Sequence, residues 1–257
     1  MNEAFSRTEL LLGREAMEKL AAAKVAIFGI GGVGSYTAEG LARAGVGSLI
    51  LVDDDSVNVT NLNRQIIALR STVGRPKVEV MKARILDINP EAKVEAFQEY
   101  CDPESAPRLL GQDVSGGIGI SYIVDAIDSV SSKIDLIARA TAMGIPIISS
   151  MGAGNKLDPT RLEVADIYQT SVCPLARVMR AELRKRGVAA LEVIYSRESP
   201  IKVEGSAPAG RSRLDADAPG DAEPSLGRRS VPGSVSFVPS VAGLIIASRV
   251  VRKLVGA

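Results

Sequence analysis

Histidine and tryptophan are absent from all 257 residues. Without histidine, no Ser-His-Asp triad, imidazole general base or imidazole metal ligand can be built. Cysteine is scarce: only Cys101 and Cys173 occur, far apart in the chain. They form no Cys-x-x-Cys pair, which argues against a structural zinc site. Two cysteines at this length also argue against a secreted disulfide scaffold. An excess of one charge is missing too, with 31 Lys and Arg against 30 Asp and Glu. That balance excludes a strongly basic nucleic-acid coat protein but leaves room for a local basic face. No apolar leader opens the chain: Glu3, Arg7, Glu9, Arg14, Glu15, Glu18 and Lys19 crowd its start. The expectation is a cytoplasmic protein. Chemistry is left to Arg, Lys, Asp, Asn, backbone amides and two thiols. A composition 46% hydrophobic and 24% charged fits a soluble α/β domain with a substantial core.

Short apolar runs alternate with helical patterns. Residues 24–30, 48–52, 94–100, 121–127 and 146–150 read as strands, the first four followed by helical or glycine-rich segments. Within 77–88, Val80, Met81, Ile85 and Ile88 recur at helical spacing, and Asn89-Pro90 stops the run. Residues 129–143 read as another helix. This alternation predicts right-handed crossovers and a doubly wound, mainly parallel sheet, Rossmann-like, with a C-terminal extension of strands and helices. In that extension, 161–168 and 191–196 read as strands flanking a helix over 174–186. Residues 204–230 hold few large apolar residues and read as a mobile linker. Residues 230–248 carry no charge, but Pro232, Gly233, Pro239 and Gly243 interrupt them. A membrane span needs about 20 apolar residues, so the expectation is a helix over 240–254 packed on the sheet, with a weak membrane contact as the alternative.

Gly29-Ile30-Gly31-Gly32-Val33-Gly34 joins the first strand to the first helix of the alternation. Glycines there permit a tight turn and let a phosphate approach the helix N-terminus. Asp53, at the end of the second strand, stands where an acid grips a ribose. Alone, this pair suggests NAD or FAD. The next segment shifts the reading. Val59 to Gln65 is Val-Thr-Asn-Leu-Asn-Arg-Gln, Lys77 follows Gly74-Arg75-Pro76, and Asp125-Ala126-Ile127-Asp128 closes the fourth strand. Asn61, Arg64, Lys77 and Asp128 are therefore expected on one rim with the glycine loop. Hydride transfer has no use for an extra Arg and Lys at the phosphates. Cleavage of the α–β phosphate bond does, because charge grows there in the transition state. The cofactors this implies are ATP and Mg²⁺, with Asp128 the expected ligand of the ion.

The succession of glycine loop, strand-end Asp53, Asn61-Leu62-Asn63-Arg64-Gln65, Lys77 and Asp125-Ala126-Ile127-Asp128-Ser129 resembles the ubiquitin-activating-type (ThiF/MoeB-like) adenylating enzymes, over roughly the first two thirds of the chain. Phe5-Ser6-Arg7-Thr8, Gly152-Ala153-Gly154 and Leu157-Asp158-Pro159-Thr160 extend the similarity toward the tRNA threonylcarbamoyladenosine dehydratases. The resemblance implies that Gly29, Gly31, Gly32, Gly34 and Asp53 hold ATP, and that Asn61, Arg64 and Lys77 surround its phosphates. It implies that Asp128 lies near Mg²⁺ and the α-phosphate, and that Arg7 reaches into the site of a partner in a homodimer. It further implies adenylation of a threonylcarbamoyl carboxylate on tRNA, then ring closure by the neighbouring carbamoyl group, a step that proximity favours without a protein base. On that footing, 1–160 is an ATP-binding adenylation core with an N-terminal arm, 161–203 a sheet extension with a basic helix, 204–230 a linker, and 231–257 a C-terminal strand and helix on the core, together one domain.

A tRNA substrate needs a surface. Arg177, Arg180 and Arg184 fall on one arc of the 174–186 helix, opposite Leu175, Met179 and Leu183, and form a candidate contact. Cys173 keeps an alternative open. A thiol at a helix N-terminus is activated, and carrier-activating members of the superfamily use such a cysteine, so a ubiquitin-like sulfur carrier is the alternative partner. Cys101 follows a strand and reads as packing. A module that binds ATP or NAD without turnover is a third reading, opposed by the set Arg64, Lys77 and Asp128.

Overall fold

The structure is a computed structural model that describes residues 3–111, 119–202 and 232–257. The expected linker at 204–230 lies outside the described residues. Seven strands form one sheet: β1 (Lys24–Phe28), β2 (Ser48–Val52), β3 (Lys93–Phe97), β4 (Tyr122–Asp125), β5 (Ile147–Ser150), β6 (Leu162–Asp166) and β7 (Glu192–Ser196). Their order is β3-β2-β1-β4-β5-β7-β6. All neighbours pair parallel except β6 with β7, whose antiparallel register runs from Leu162↔Ser196 to Asp166↔Glu192. The helices are α1 (Ser6–Leu12), α2 (Arg14–Ala22), α3 (Gly34–Arg43), α4 (Lys77–Ile88), α5 (Ala106–Leu109), α6 (Val130–Ala142), α7 (Pro174–Lys185) and α8 (Phe237–Val255).

The central strands β1 and β2 are almost wholly apolar because helices cover both faces. In β1, Val25 and Ile27 enter one core with Leu41, Met81 and Ile246, from α3, α4 and α8. Ala26 and Phe28 point the other way, among Leu109, Ile123 and Leu136. That is the two-residue period of a strand. Beneath β7, Met179 and Leu183 of α7 pack on Val193 and Tyr195. Each such fully buried large side chain contributes about 1.5–3 kcal/mol.

Strand order reverses between β1 and β4. In a doubly wound sheet the crevice at that point, outside the strand carboxyl ends, receives ligand. Register sets Phe28 opposite both Val52 and Asp125, so the segments leaving β1, β2 and β4 stand side by side. Helix α3 starts in this crevice, and two devices fix its axis. Glu39 accepts from Arg84 Nε at 2.6 Å and from Arg43 Nε at 2.8 Å, tying α3 to α4. Burial opposes ionisation of Glu39, but the two arginines outweigh it and hold its carboxyl below the usual glutamate range. On its other side α3 meets α8 through small residues. A methyl group on Gly243 would lie 2.4 Å from Val33 O, and one on Gly40 would lie 2.7 Å from Ala247 Cβ.

Among the described residues, the C-terminal strand expected ahead of the last helix does not form. Residues 232–236 pair with no strand, and α8 begins at Phe237 rather than at residue 240. Pro232 has no N–H for a ladder, and the N–H of Gly233 donates instead to Asn155 Oδ1 at 2.6 Å. Helix α8 lies mainly along α3 and also touches β4 and β7. Among the described residues, no helix is long and apolar enough to cross a membrane.

Candidate nucleotide site

A cavity of about 420 Å³ opens at the switch point. Its floor is the turn after β1. Gly29 adopts φ 89°, and a methyl group there would meet Ala126 O at 2.5 Å. One on Gly34 would sit 1.8 Å from Gly29 O. These two glycines let loop and helix approach; Gly31 and Gly32 face the cavity. The N–H groups of Gly31 and Gly32 take no partner among the described residues. With the positive end of the α3 dipole, they form an anion cradle.

Asp53 organises this cradle from below. Its Oδ2 accepts the N–H of Ile30 at 2.6 Å, and its Oδ1 accepts that of Asp55 at 2.9 Å. Lys77, at the start of α4, stands 2.6 Å from Asp55 Oδ2 and 3.5 Å from Asp53 Oδ1. Burial raises the Asp53 carboxyl above the ordinary aspartate value, against the pull of Lys77 and the two N–H donors. Both side chains line the cavity and are nearly closed off, at 8% and 6% exposure.

Asn61 and Arg64 form the opposite wall. Asn61 ends a short 3₁₀ turn, Val59–Asn61, whose start its Oδ1 caps by accepting from the N–H of Asn58 at 2.9 Å. Arg64 Nη1 donates to Thr60 O and to Asn63 Oδ1, each at 2.9 Å. Asp128 is exposed on the rim, and its carboxylate has no hydrogen-bond or ion-pair partner among the described residues.

Behind Asp128 stands a buried cluster that motif reading did not find. Lys133 of α6 and Asp125 at the end of β4 are both 0% exposed and 2.9 Å apart. Lys133 Nζ also donates to Ile127 O at 3.0 Å, and Ser149 Oγ of β5 to Asp125 Oδ2 at 2.5 Å. Asp125 Oδ1 accepts the N–H of Ile127 at 3.1 Å. The turn carrying Asp128 is thus pinned from inside. Its sequence signal was an aspartate ending an apolar strand and a lysine five residues beyond Asp128, in a helix otherwise apolar on that side.

Sequence reasoning also missed the far wall. Pro232, Gly233, Ser234 and Pro239 line the cavity. Asn63 Nδ2 donates to Ser234 O at 2.9 Å, and the N–H of Asn155 to Gly233 O at 2.8 Å. The pattern Pro-Gly with Pro239 was the available clue. Cys101 was read as packing and does pack, yet it also lines the cavity. Burial pushes its thiol up to about 12.

Five expected residues lie elsewhere. Arg7 is exposed on α1 and is not a wall of this chain's cavity. On α7, Arg177 is exposed, while Arg180 Nη1 is held by Thr170 O at 3.0 Å and by the Thr170 hydroxyl. Arg184 stacks 5.0 Å from the Tyr168 ring centre. The basic stripe is therefore uneven, one arm free and one tied down. Cys173 begins α7 as expected but is 2% exposed, packed with Met179 and Leu183 and outside the cavity wall.

Among the described residues, no group of three or more His, Cys, Asp or Glu is placed to hold a metal ion. The free carboxylate of Asp128 suits a divalent ion that arrives on phosphates, since Mg²⁺ is commonly bound through one or two carboxylates plus substrate oxygens.

Comparison with known proteins gives consistent results. The ThiF family profile matches residues 5–257. The tRNA threonylcarbamoyladenosine dehydratase of Bacillus subtilis (strain 168) is 45% identical over 99% of this chain and 95% of its own length. The crystal structure of the Escherichia coli tRNA N6-threonylcarbamoyladenosine dehydratase in complex with ATP superposes with TM-score 0.82 at 33% identity, covering 99% of this chain and 94% of that one. The sulfur carrier protein ThiS adenylyltransferase of Escherichia coli (strain K12) is 34% identical over only 60% of this chain.

Proposed function

The chain belongs to the ThiF family, and from that membership we infer that it is an ATP-dependent tRNA threonylcarbamoyladenosine dehydratase. The observation that carries this reading is the near full-length likeness to dehydratases, one of them solved with ATP, combined with a nucleotide-sized cavity at the switch point.

The residues divide the work as follows. The free N–H groups of Gly31 and Gly32 and the α3 N-terminus receive phosphate. A carboxylate oxygen of the threonylcarbamoyl group attacks the α-phosphorus, and the bond to pyrophosphate breaks. Negative charge gathers on the phosphate oxygens, and Lys77 and Arg64, whose present partners are aspartates, a carbonyl and an amide, turn toward it. Asp128 would hold Mg²⁺, which would supply charge neutralisation on the phosphates. The carbamoyl group then closes a ring onto the activated carbonyl and AMP leaves. Nucleophile and electrophile share one side group, so effective concentration replaces a base; a chain without histidine can perform this step.

The reading includes a homodimer in which Arg7 on α1 completes the partner's site, a cytoplasmic location, and tRNA contact through Arg177 and Arg184. The reading takes 1–160 as the adenylation core and 161–203 as its sheet extension, within one domain. Burial of the Cys173 thiol argues against the sulfur-carrier alternative. Purified protein with modified tRNA and Mg-ATP should release AMP and yield the cyclised nucleoside. ADP as product, or unchanged tRNA, refutes the assignment.

A further inference from the structure

Gln65 belongs to the Asn-Leu-Asn-Arg-Gln segment, yet the mechanism above gives it no task. The residue is 6% exposed and forms part of the cavity wall. A methyl group built on Gly31 would lie 3.8 Å from Gln65 Nε2, so the carboxamide flanks the phosphate loop. Nε2 makes no hydrogen bond among the described residues, and Oε1 is buried with no partner. The backbone cannot drift: the N–H of Gln65 bonds Asn61 O at 3.0 Å, and its carbonyl accepts from Ala68 at 3.0 Å.

This contrasts with the two cations nearby. Arg64 is bound to Thr60 and Asn63, and Lys77 to Asp55. Donors at the loop that have no partner among the described residues include the N–H groups of Gly31 and Gly32 and the Gln65 amide. An apolar side chain of the same length would fill the space without stranding a buried oxygen, so packing does not account for glutamine here.

We propose that Gln65 is a further catalytic residue, whose side-chain N–H donates to the phosphate oxygens that gain charge as the bond to pyrophosphate breaks. The proposal rests on the adenylation reading. A neutral donor suits the place, because it stabilises developing charge without disturbing the balance between Lys77 and the two aspartates. Preorganised donors of this kind act on the transition state more than on bound substrate.

The test uses the full chain with Mg-ATP and tRNA carrying threonylcarbamoyladenosine, comparing Gln65→Met and Gln65→Glu with the parent. Loss of the donor should lower kcat for AMP release about 10²-fold. KM for ATP should change little, and Tm should hold or rise because the stranded oxygen is gone. Gln65→Glu, which turns a carboxylate toward phosphate, should be slower still. The proposal is overturned if Gln65→Met keeps kcat within about twofold, if Gln65→Glu works as well as the parent, or if kcat and Tm fall together in Gln65→Met. If the parent itself releases no AMP, the adenylation reading fails instead, so the two failures are told apart.

Discussion

Two strand-end aspartates meet lysines from following helices, and the two pairs behave differently. Asp53 and Lys77 stand at the cavity wall, 3.5 Å apart, with Lys77 closer to the exposed Asp55. Asp125 and Lys133 stand behind the wall, 2.9 Å apart and closed to solvent. The first lysine has a loose set of partners that phosphate can replace. The second is bonded to a carboxylate and a carbonyl that nothing from outside can reach. On the proposed function, one chemical pairing serves as a grip in one place and as scaffold in the other, and access decides which.

Removing the scaffold lysine should have the largest effect. Lys133→Met leaves Asp125 buried without its cation, at a cost of about 3–5 kcal/mol, visible as a lower urea midpoint. An unchanged midpoint would put the two pairs on the same footing and end the distinction. Lys77→Met should act mainly on rate, lowering AMP release about 10²–10³-fold. Its stability cost should be smaller and should shrink in acid. Asp53 already has a raised pKa, so it protonates early as pH falls, and the charge that Lys77 balanced disappears. A cost independent of pH would show that Asp53 is not the partner that matters.

A carboxylate outside the cavity calibrates both. Glu39→Gln should cost about 1–3 kcal/mol at neutral pH through its arginine bonds. The pKa of Glu39 is lowered in the folded chain, so its contribution is present above the ordinary glutamate value and lost as pH falls through the folded value. Unfolding curves of parent and variant should converge in acid while ATP affinity, read by calorimetry, stays the same. The smallest effect belongs to α7. Replacing Arg177, Arg180 and Arg184 by Ala should flatten the salt dependence of tRNA binding, each phosphate contact contributing about 0.7–0.9 to the logarithmic slope. Because Thr170 holds Arg180, the change should correspond to about two contacts and not three. A slope that does not move would take this helix out of the interface.

Spacing along the chain brings out Lys77 and hides Lys133 for a physical reason. Lys77 follows a glycine-proline turn and sits in a recognisable order with Arg64 and Asp128, so its role was open to spacing arguments. Lys133 and Ser149 act through contacts between α6, β4 and β5, which only the sheet order brings together. The parallel core was legible because short, mainly apolar runs alternate with helical patterns. The segment at 232–236 was not, since a proline and a glycine fit an unpaired crossing as well as a strand. The arginine stripe was correctly placed on a helix face, but periodicity carries no information about Thr170, which engages its middle member.

The cover of the cavity has a consequence for how the protein is made. The phosphate loop at 29–34 is synthesised early, whereas Pro232, Gly233, Ser234 and Pro239, which wall it, leave the ribosome some two hundred residues later. Helix α8, which seats α3, contributes Pro239 to that wall. A nascent chain that stalls before them presents an open loop and an unsupported helix. The order of synthesis therefore places the glycine loop in the chain well before the residues that complete its wall.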